Sequence, residues 1–308
     1  MILGVGSYGR KSWEEWVLEE EEGIQHIKAA YVLRCWHSNF DTANVYSNGE
    51  SERILGKAIK QLNLPREEIV VMTKIYYVVR RDPGFLIPPG PIADAAGYVN
   101  QYGLIKYSLE RLQLDYIDML QCHMFDYDTP IAETMHALHD VVKAGYARYI
   151  GMSNCFAYQF HAMQNYAINN KLTPFISMQN QYNLIYREDE REMIPTLKMF
   201  GVGMTPWSPL SQGVLCRPYS QTTLRTQTSC IAILWQRVKE DNKEVILRMA
   251  QVAVAWILSK NAVTAPIIGA TSLKHLEDTM GGIDVKLTDE EIRQLEEPYI
   301  AQAIQHHT

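Results

Sequence analysis

Eight times along the chain a short β-rich run gives way to a segment of helical periodicity, and no other feature narrows the possible folds so far. The runs are Met1–Val5, Asn39–Thr42, Glu68–Lys74, Tyr116–His123, Tyr149–Asn154, Phe175–Gln181, Val202–Ser208 and Thr264–Ala270. Several, such as EIVVMTK and YIDMLQCH, set apolar residues side by side instead of alternating them, as strands covered on both faces do. Ile54, Leu55, Ala58, Ile59 and Leu62 then fall on one helical face, and Leu104, Ile105, Ser108, Leu109 and Leu112 repeat that spacing. Ser47 with Glu50, and Thr288 with Glu291, have the spacing of a capping box. Pro130 in a first turn and Gly145 at the far end bracket a fourth helix. The stretch MAQVAVAWIL is helical and apolar nearly all round, which predicts burial. Eight strands, each followed by a helix, predict the α/β class and a single (β/α)8 barrel.

No composition shift or linker divides the 308 residues, so one domain over 1–308 is expected. Two connections, 75–101 and 212–243, are too long to be plain links and are expected to lie over the functional face. A net charge of −6 leaves no basic surplus for general nucleic-acid binding. The five cysteines, Cys35, Cys122, Cys155, Cys216 and Cys230, fit neither a disulfide framework nor a zinc site. With no apolar run near the ~18 residues of a membrane span and no signal-like N-terminus, a soluble cytoplasmic protein without a membrane partner is expected. The Gly4–Gly9 stretch GVGSYG fits the dinucleotide pattern G-x-G-x-x-G, but it lacks a full strand before it and a packed helix after it. A tight strand-to-loop turn at the barrel rim is the better reading.

In a barrel of this kind the chemistry stands at the C-terminal ends of the strands. Those ends carry Asp41 with Tyr46 just beyond, Lys74, His123, Ser153 with Asn154, Gln179, Trp207 with Ser208, and Gly269 before Thr271. Alone, Lys74 reads as a side chain snorkelling from a strand end, His123 as a satisfied core histidine and Trp207 as packing. Their coincidence on one rim favours chemistry. A phenol with an ordinary pKa near ~10 is a weak acid at neutral pH, and a neighbouring ammonium favours its ionised form and lowers that value. Asp41 would hold Lys74 charged, Lys74 would activate Tyr46 as a proton donor, and His123 would orient the oxygen that receives the proton.

With these residues assembled, the chain resembles the aldo-keto reductase family, in particular its aryl-alcohol dehydrogenase-like branch, which is itself similar to potassium-channel β subunits. The resemblance rests on FDTANVYSNGESERILGKAI, VVMTK, YIDMLQCHMFD, YIGMSN, SMQNQYNL, GVGMTPWSPLSQG and APIIGATSLKHLED, which occur in order along nearly the whole chain. It implies metal-free, NADPH-dependent reduction of an aldehyde or ketone, or the reverse oxidation of an alcohol. By that resemblance Tyr46 is the proton donor, supported by Asp41, Lys74 and His123. Ser153, Asn154 and Gln179 would bind the nicotinamide carboxamide, Trp207 would stack on its ring, and Ser208, Pro209, Leu210 and Ser211 would wrap the pyrophosphate. Gly269, Thr271, Lys274, His275 and Asp278 would hold the adenosine end, where a helix N-terminus suits an anion.

Three features depart from the family pattern. Family members usually begin with a hairpin under the barrel, whereas this chain starts at the first barrel strand, which is expected to expose apolar surface. YVLRCWHSNFDTA is bulkier than the usual link before Asp41, and Met124 stands where this branch often has Arg. A cofactor-binding regulatory subunit with little turnover is the alternative function. A Schiff-base lyase at Lys74 would leave Tyr46 and Trp207 without roles. Tyr76, Tyr77, Phe85 and Tyr98 are available to cover a flat or aromatic molecule, and aromatic carbonyls, sugar-derived aldehydes and intermediates of secondary metabolism are all open as the small-molecule carbonyl substrate. His306 and His307 read as a solvated tail and a poor metal site.

Overall fold

The structure, a computed structural model, describes residues 1–33, 38–79, 98–216, 224–225 and 250–307. Its eight strands are β1 (Ile2–Gly4), β2 (Ser38–Asp41), β3 (Ile69–Ile75), β4 (Ile117–Cys122), β5 (Ala147–Ser153), β6 (Ser177–Gln179), β7 (Gly203–Met204) and β8 (Ile267–Ile268). They pair in parallel in the order β7-β6-β5-β4-β3-β2-β1-β8. Parallel bridges Met204–Val263 and Trp207–Ile267 join the last edge to the first, so the sheet closes into a (β/α)8 barrel. Each strand lies within one of the eight expected runs except β2 and β5, which begin one and two residues earlier, and β3, which ends one later.

Helices α1 (Glu20–Val32), α2 (Glu50–Gln61), α3 (Tyr98–Leu112), α4 (Ile131–Lys143), α5 (Ala157–Asn169), α6 (Met193–Phe200), α7 (Ala250–Leu258) and α8 (Leu273–Met280) follow the strands, and α9 (Asp289–Glu296) ends the series. Burial on both faces explains the apolar runs. Phe40, Val71, Leu120 and Ile150 are fully buried and belong to the main core with Ile54, Leu55, Ile105 and Leu138 of the helices. The alternate residues of the same strands turn into the barrel. There Ile2, Met72, Met119 and Ile267 form a separate buried cluster. Among the described residues, Val70 and Ala265 are partly buried and pack against this cluster.

Two local expectations fail. Ser47 and Glu50 make no capping box: α2 starts at Glu50 behind a left-handed Gly49 cap, without a side-chain cap hydrogen bond. Instead Ser47 Oγ accepts the Arg10 amide at 3.2 Å and Glu50 binds the Arg10 guanidinium at 2.9 Å. The second box is present, with Thr288 Oγ1 accepting from the Glu291 amide and Glu291 accepting from the Thr288 amide. The histidine tail is the other correction. His307 is buried, its ring sits 4.8 Å from that of Phe156, and its carbonyl accepts from Tyr127 Oη at 2.8 Å. His306 packs 5.1 Å from the Trp207 ring. Aromatic groups at three strand ends give this tail a surface that outcompetes water.

Of the two long connections, 98–101 belong to α3, 211–216 form 3₁₀ turns and 224–225 are helical. Residues 75–79 of the first connection are also described, whereas 80–97, with Phe85, the side chain of Tyr98 and the remainder of the second connection lie outside the described residues, as do Cys35, Cys230 and 34–37 of the link before β2.

Candidate active site

The polar layer above the methionines comes from the same period-2 alternation. Two residues beyond Met72 stands Lys74, two beyond Met119 stands Gln121, and two beyond Ser177 stands Gln179. Lys74 is 1% exposed and Asp41 3%. Lys74 Nζ donates to Asp41 Oδ2 at 2.6 Å, to the Thr42 carbonyl at 3.0 Å and to Tyr46 Oη at 3.4 Å. The other Asp41 oxygen accepts from Gln121 Nε2 at 3.2 Å and Gln179 Nε2 at 3.0 Å. Gln179 also donates to Gln121 Oε1 at 3.0 Å. The four groups interlock across strands β2, β3, β4 and β6.

Tyr46 follows β2 at a sharp turn in which Ser47, Asn48 and Gly49 all have positive φ, at 47°, 54° and 88°. Two non-glycine residues in the left-handed region store strain, and the turn aims the phenol back toward Lys74. The glycines just beyond β1 make room for it. A Cβ on Gly6 would lie 3.0 Å from the Tyr46 ring, and one on Gly9 only 1.9 Å from Ser47 Oγ. The dinucleotide-like glycines therefore serve close backbone approach to the Tyr46 turn and form the expected strand-to-loop bend, with 3₁₀ turn Val5–Ser7 inside it. The Tyr46 and His123 rings meet edge to face at 5.7 Å, and His123 meets Tyr77 at 5.6 Å.

The electrostatics depart from expectation at one point. Burial raises the Tyr46 pKa, and although Lys74 pulls it down, Asp41 opposes that pull and the net direction is upward. The phenol thus stays protonated. Burial alone would strip the proton from Lys74, but Asp41 and Tyr46 outweigh it and hold the ammonium charged. Burial, aided by the Lys74 charge, pushes His123 well below its ordinary value, so its imidazole is neutral. His123 Nδ1 is buried without a partner.

Around this cluster stand the residues expected to hold a cofactor. Ser153 Oγ donates to the Gln179 carbonyl at 2.6 Å. Asn154, at φ 47°, donates its amide to the His123 carbonyl and to Ser153 Oγ, both at 2.9 Å, and accepts from Trp207 Nε1 at 3.1 Å. Ser208, Pro209, Leu210 and Ser211 enter a tight turn. Positive φ recurs at Ser208, Ser211, Gln212 and Gly213, the kind of backbone that gathers N–H groups around an anion. Ser211 Oγ is fully buried and unpartnered there. Gly269 approaches Ser7, since a Cβ would sit 3.1 Å from Ser7 Oγ. Thr271, Lys274 and His275 are exposed at the start of α8, capped by Ser272. Asp278 is more than a turn farther on, where its carboxylate accepts from Gln251 on α7. The orphaned serine, the turned backbone and the exposed lysine fit a phosphate-bearing dinucleotide.

Sequence reasoning missed Gln121, whose signal was its place two residues before His123 on one strand face. It also missed Gln181, buried with both amide atoms unpartnered two residues beyond Gln179. Arg225 was missed too: it stacks 3.9 Å over Trp16, its charge reaches Tyr46, and burial lowers its pKa to about 10. Tyr76 and Tyr77 do line the rim, and Tyr77 Oη reaches Met124 Sδ at 2.8 Å.

Comparison with known proteins identifies the family. The Aldo/keto reductase family matches residues 1–300. The versiconal hemiacetal acetate reductase of Aspergillus parasiticus is 44% identical over 99% of this chain and 94% of its own length. An aldo-keto reductase of Metarhizium robertsii is 43% identical over 100% and 89%. A putative aryl-alcohol dehydrogenase of Schizosaccharomyces pombe is 42% identical over 99% and 93%.

Proposed function

The chain belongs to the aldo/keto reductase family, and from that premise we propose that it reduces an aldehyde or ketone with NADPH, Tyr46 supplying the proton. The observation that carries this reading is the buried Asp41–Lys74–Tyr46 chain beside a neutral His123. NADPH, when bound, supplies the hydride. Gln181 offers an unpartnered amide to the carboxamide, Asn154 reaches it by exchanging one of its present hydrogen bonds, and Trp207 offers a face to the ring. The turn from Ser208 to Ser211 takes the pyrophosphate, and Lys274 with His275 the adenosine end. Gln179 supports the site from inside, because its amide nitrogen is committed to Asp41 and Gln121.

The chain's own part in the chemistry is proton supply. A carbonyl oxygen gaining negative charge needs a donor that is protonated yet close to a cation. Tyr46 meets both needs, since burial keeps its proton on and Lys74 stabilises the phenolate left after transfer. His123, neutral, orients the oxygen by hydrogen bonding without competing as an acid. Tyr77, Tyr76 and Met124 at the rim suit a flat, aryl-type carbonyl, in line with the names of relatives of this chain.

The test follows NADPH absorbance with an activated aryl aldehyde in the parent and in Tyr46→Phe. Loss of a single general acid costs about 10²–10⁴-fold in turnover, with NADPH affinity retained. A variant that keeps most of its turnover removes Tyr46 from the mechanism.

A further inference from the structure

Behind the Asn154–Trp207 contact lies a buried carboxyl group that proton transfer does not use. Asp189 sits in the 3₁₀ turn Glu188–Glu190 before α6 and is 5% exposed. Its Oδ1 accepts from Asn180 Nδ2 at 3.1 Å, while its Oδ2 is buried without a partner. Asn180 in turn accepts the Asn154 backbone amide on its Oδ1 at 2.8 Å. Asn154 then accepts from the Trp207 indole and donates to the His123 carbonyl. An unbroken hydrogen-bonded path thus runs from Asp189 to both walls of the candidate nicotinamide site.

We propose that Asp189 is a positioning residue of the cofactor site, which in its ionised form fixes the Asn180 amide and through it the seat of Asn154 and Trp207. This rests on the functional reading above. The argument is one of donors and acceptors. A carboxylate only accepts, so it forces the Asn180 nitrogen toward itself and leaves the oxygen for the Asn154 N–H. A protonated carboxyl can instead donate to the Asn180 oxygen. The flipped amide then turns its own N–H₂ toward the Asn154 N–H, and that hydrogen bond is lost. Asn154 is held at φ 47°, a region that non-glycine residues seldom occupy although asparagine enters it more readily than most, so a lost backbone tether loosens that conformation.

The charge state is poised to change. Burial raises the Asp189 pKa to about 7, against the opposing Asn180 hydrogen bond, and Glu188 adds to the rise. Tyr186 from the same segment and the Cys155 thiol after β5 also face it. Both are held in their neutral forms by burial, with Tyr186 pushed up to about 12. The site is therefore well ordered above pH ~7 and loosens as pH falls through that value.

The test is an NADPH titration, read by energy transfer from tryptophan, of the parent and of Asp189→Asn at pH 6 and pH 8.5. Asparagine has nearly the same shape and mimics the protonated carboxyl. The expected result is roughly fivefold weaker NADPH binding in the variant at pH 8.5, the scale of one hydrogen bond. The two proteins converge at pH 6. Taking the ratio of variant to parent cancels the titration of the cofactor's own 2′-phosphate. In an Asn180→Ala background, Asp189→Asn should add nothing. A ratio of one at both pH values, or one that does not change with pH, overturns the inference while leaving the cofactor reading intact. A folded parent that fails to bind NADPH overturns the cofactor reading and this inference with it.

Discussion

Lys74 meets two demands that pull in opposite directions. To serve Tyr46 it must carry charge, and to sit among Thr42, Asp41 and Tyr46 it must be removed from water almost completely. Asp41, aided by Tyr46, reconciles them, and the dependence between Asp41 and Lys74 is mutual. Removing one partner of a buried pair leaves the other uncompensated, at about 3–5 kcal/mol. Lys74→Met should therefore lower unfolding free energy by that amount in urea titration. Adding Asp41→Asn should restore most of it, because asparagine Oδ1 still accepts from Gln121 and Gln179. Neither variant should recover turnover. Tyr46 carries its own prediction. Its pKa is raised by burial, so the donor form survives above the ordinary phenol range. The aryl aldehyde reduction rate should stay flat from neutral pH past ~10, and a fall near pH 8 would contradict a protonated Tyr46. Asp189 gives the opposite sign in stability. Its folded pKa lies above that of the unfolded chain, so the folded state binds more protons between about pH 4 and 7 and loses stability as pH rises through that window. Asp189→Asn should consequently raise the melting temperature at pH 8.5, where it weakens NADPH binding, and change it little at pH 5.

At the scale of elements, the strands were legible because burial on both faces leaves apolar runs that a reader can count, and the strand-end positions of Asp41, Lys74 and His123 followed from them. What escaped was whatever depends on a partner distant in sequence. Ser47 and Glu50 have capping-box spacing, yet Arg10, 37 residues away, takes the Ser47 oxygen. Gln121 and Gln179 look like ordinary polar residues until the barrel brings them to Asp41, 80 and 138 residues distant. The tail histidines failed for the same reason, since Tyr127, Phe156 and Trp207 meet only in the closed barrel. The β1–α1 connection shows how an element can serve a site it does not contribute to. Gly9 admits no side chain because Ser47 Oγ occupies the space. Gly9→Ala must push away the Tyr46–Gly49 turn, whose left-handed residues have few alternative arrangements. It should cost about 1–3 kcal/mol as overpacking does and reduce turnover severalfold beyond the loss in folded protein, measured as kcat per folded molecule beside thermal unfolding.

Across the whole molecule, residues 298–307 are not an appendage to the barrel. Beyond α9 the chain runs back over the rim, tied at each step to the segment between β6 and α6. Tyr299 Oη accepts the Arg187 amide and donates to Glu188, Gln302 N donates to the same carboxylate, and Gln305 N donates to Tyr186 Oη. Glu188 is thus the anchor. Burial would raise its pKa, but hydrogen bonds from Tyr299, Gln302 and Arg191 outweigh that and hold it low. A depressed carboxylate stabilises above its unfolded pKa and loses that contribution as pH falls through the folded one, so the tail is docked throughout the neutral range. The docked tail contributes little to the core: Ile300 and Ile304 are both 53% exposed. It does set His306 against Trp207 and His307 against Phe156, at one side of the mouth. Glu188→Ala should therefore free the backbone amides of 299–307 for hydrogen exchange and leave the melting temperature within a few degrees. It should also alter the KM for aryl aldehydes more than kcat, because the wall moves and the proton donor does not. Truncation after Glu297 should reproduce that KM change. If exchange in the tail rises while KM stays put, the tail is a cover without contact to substrate; if kcat falls instead, the tail reaches the chemistry at Tyr46.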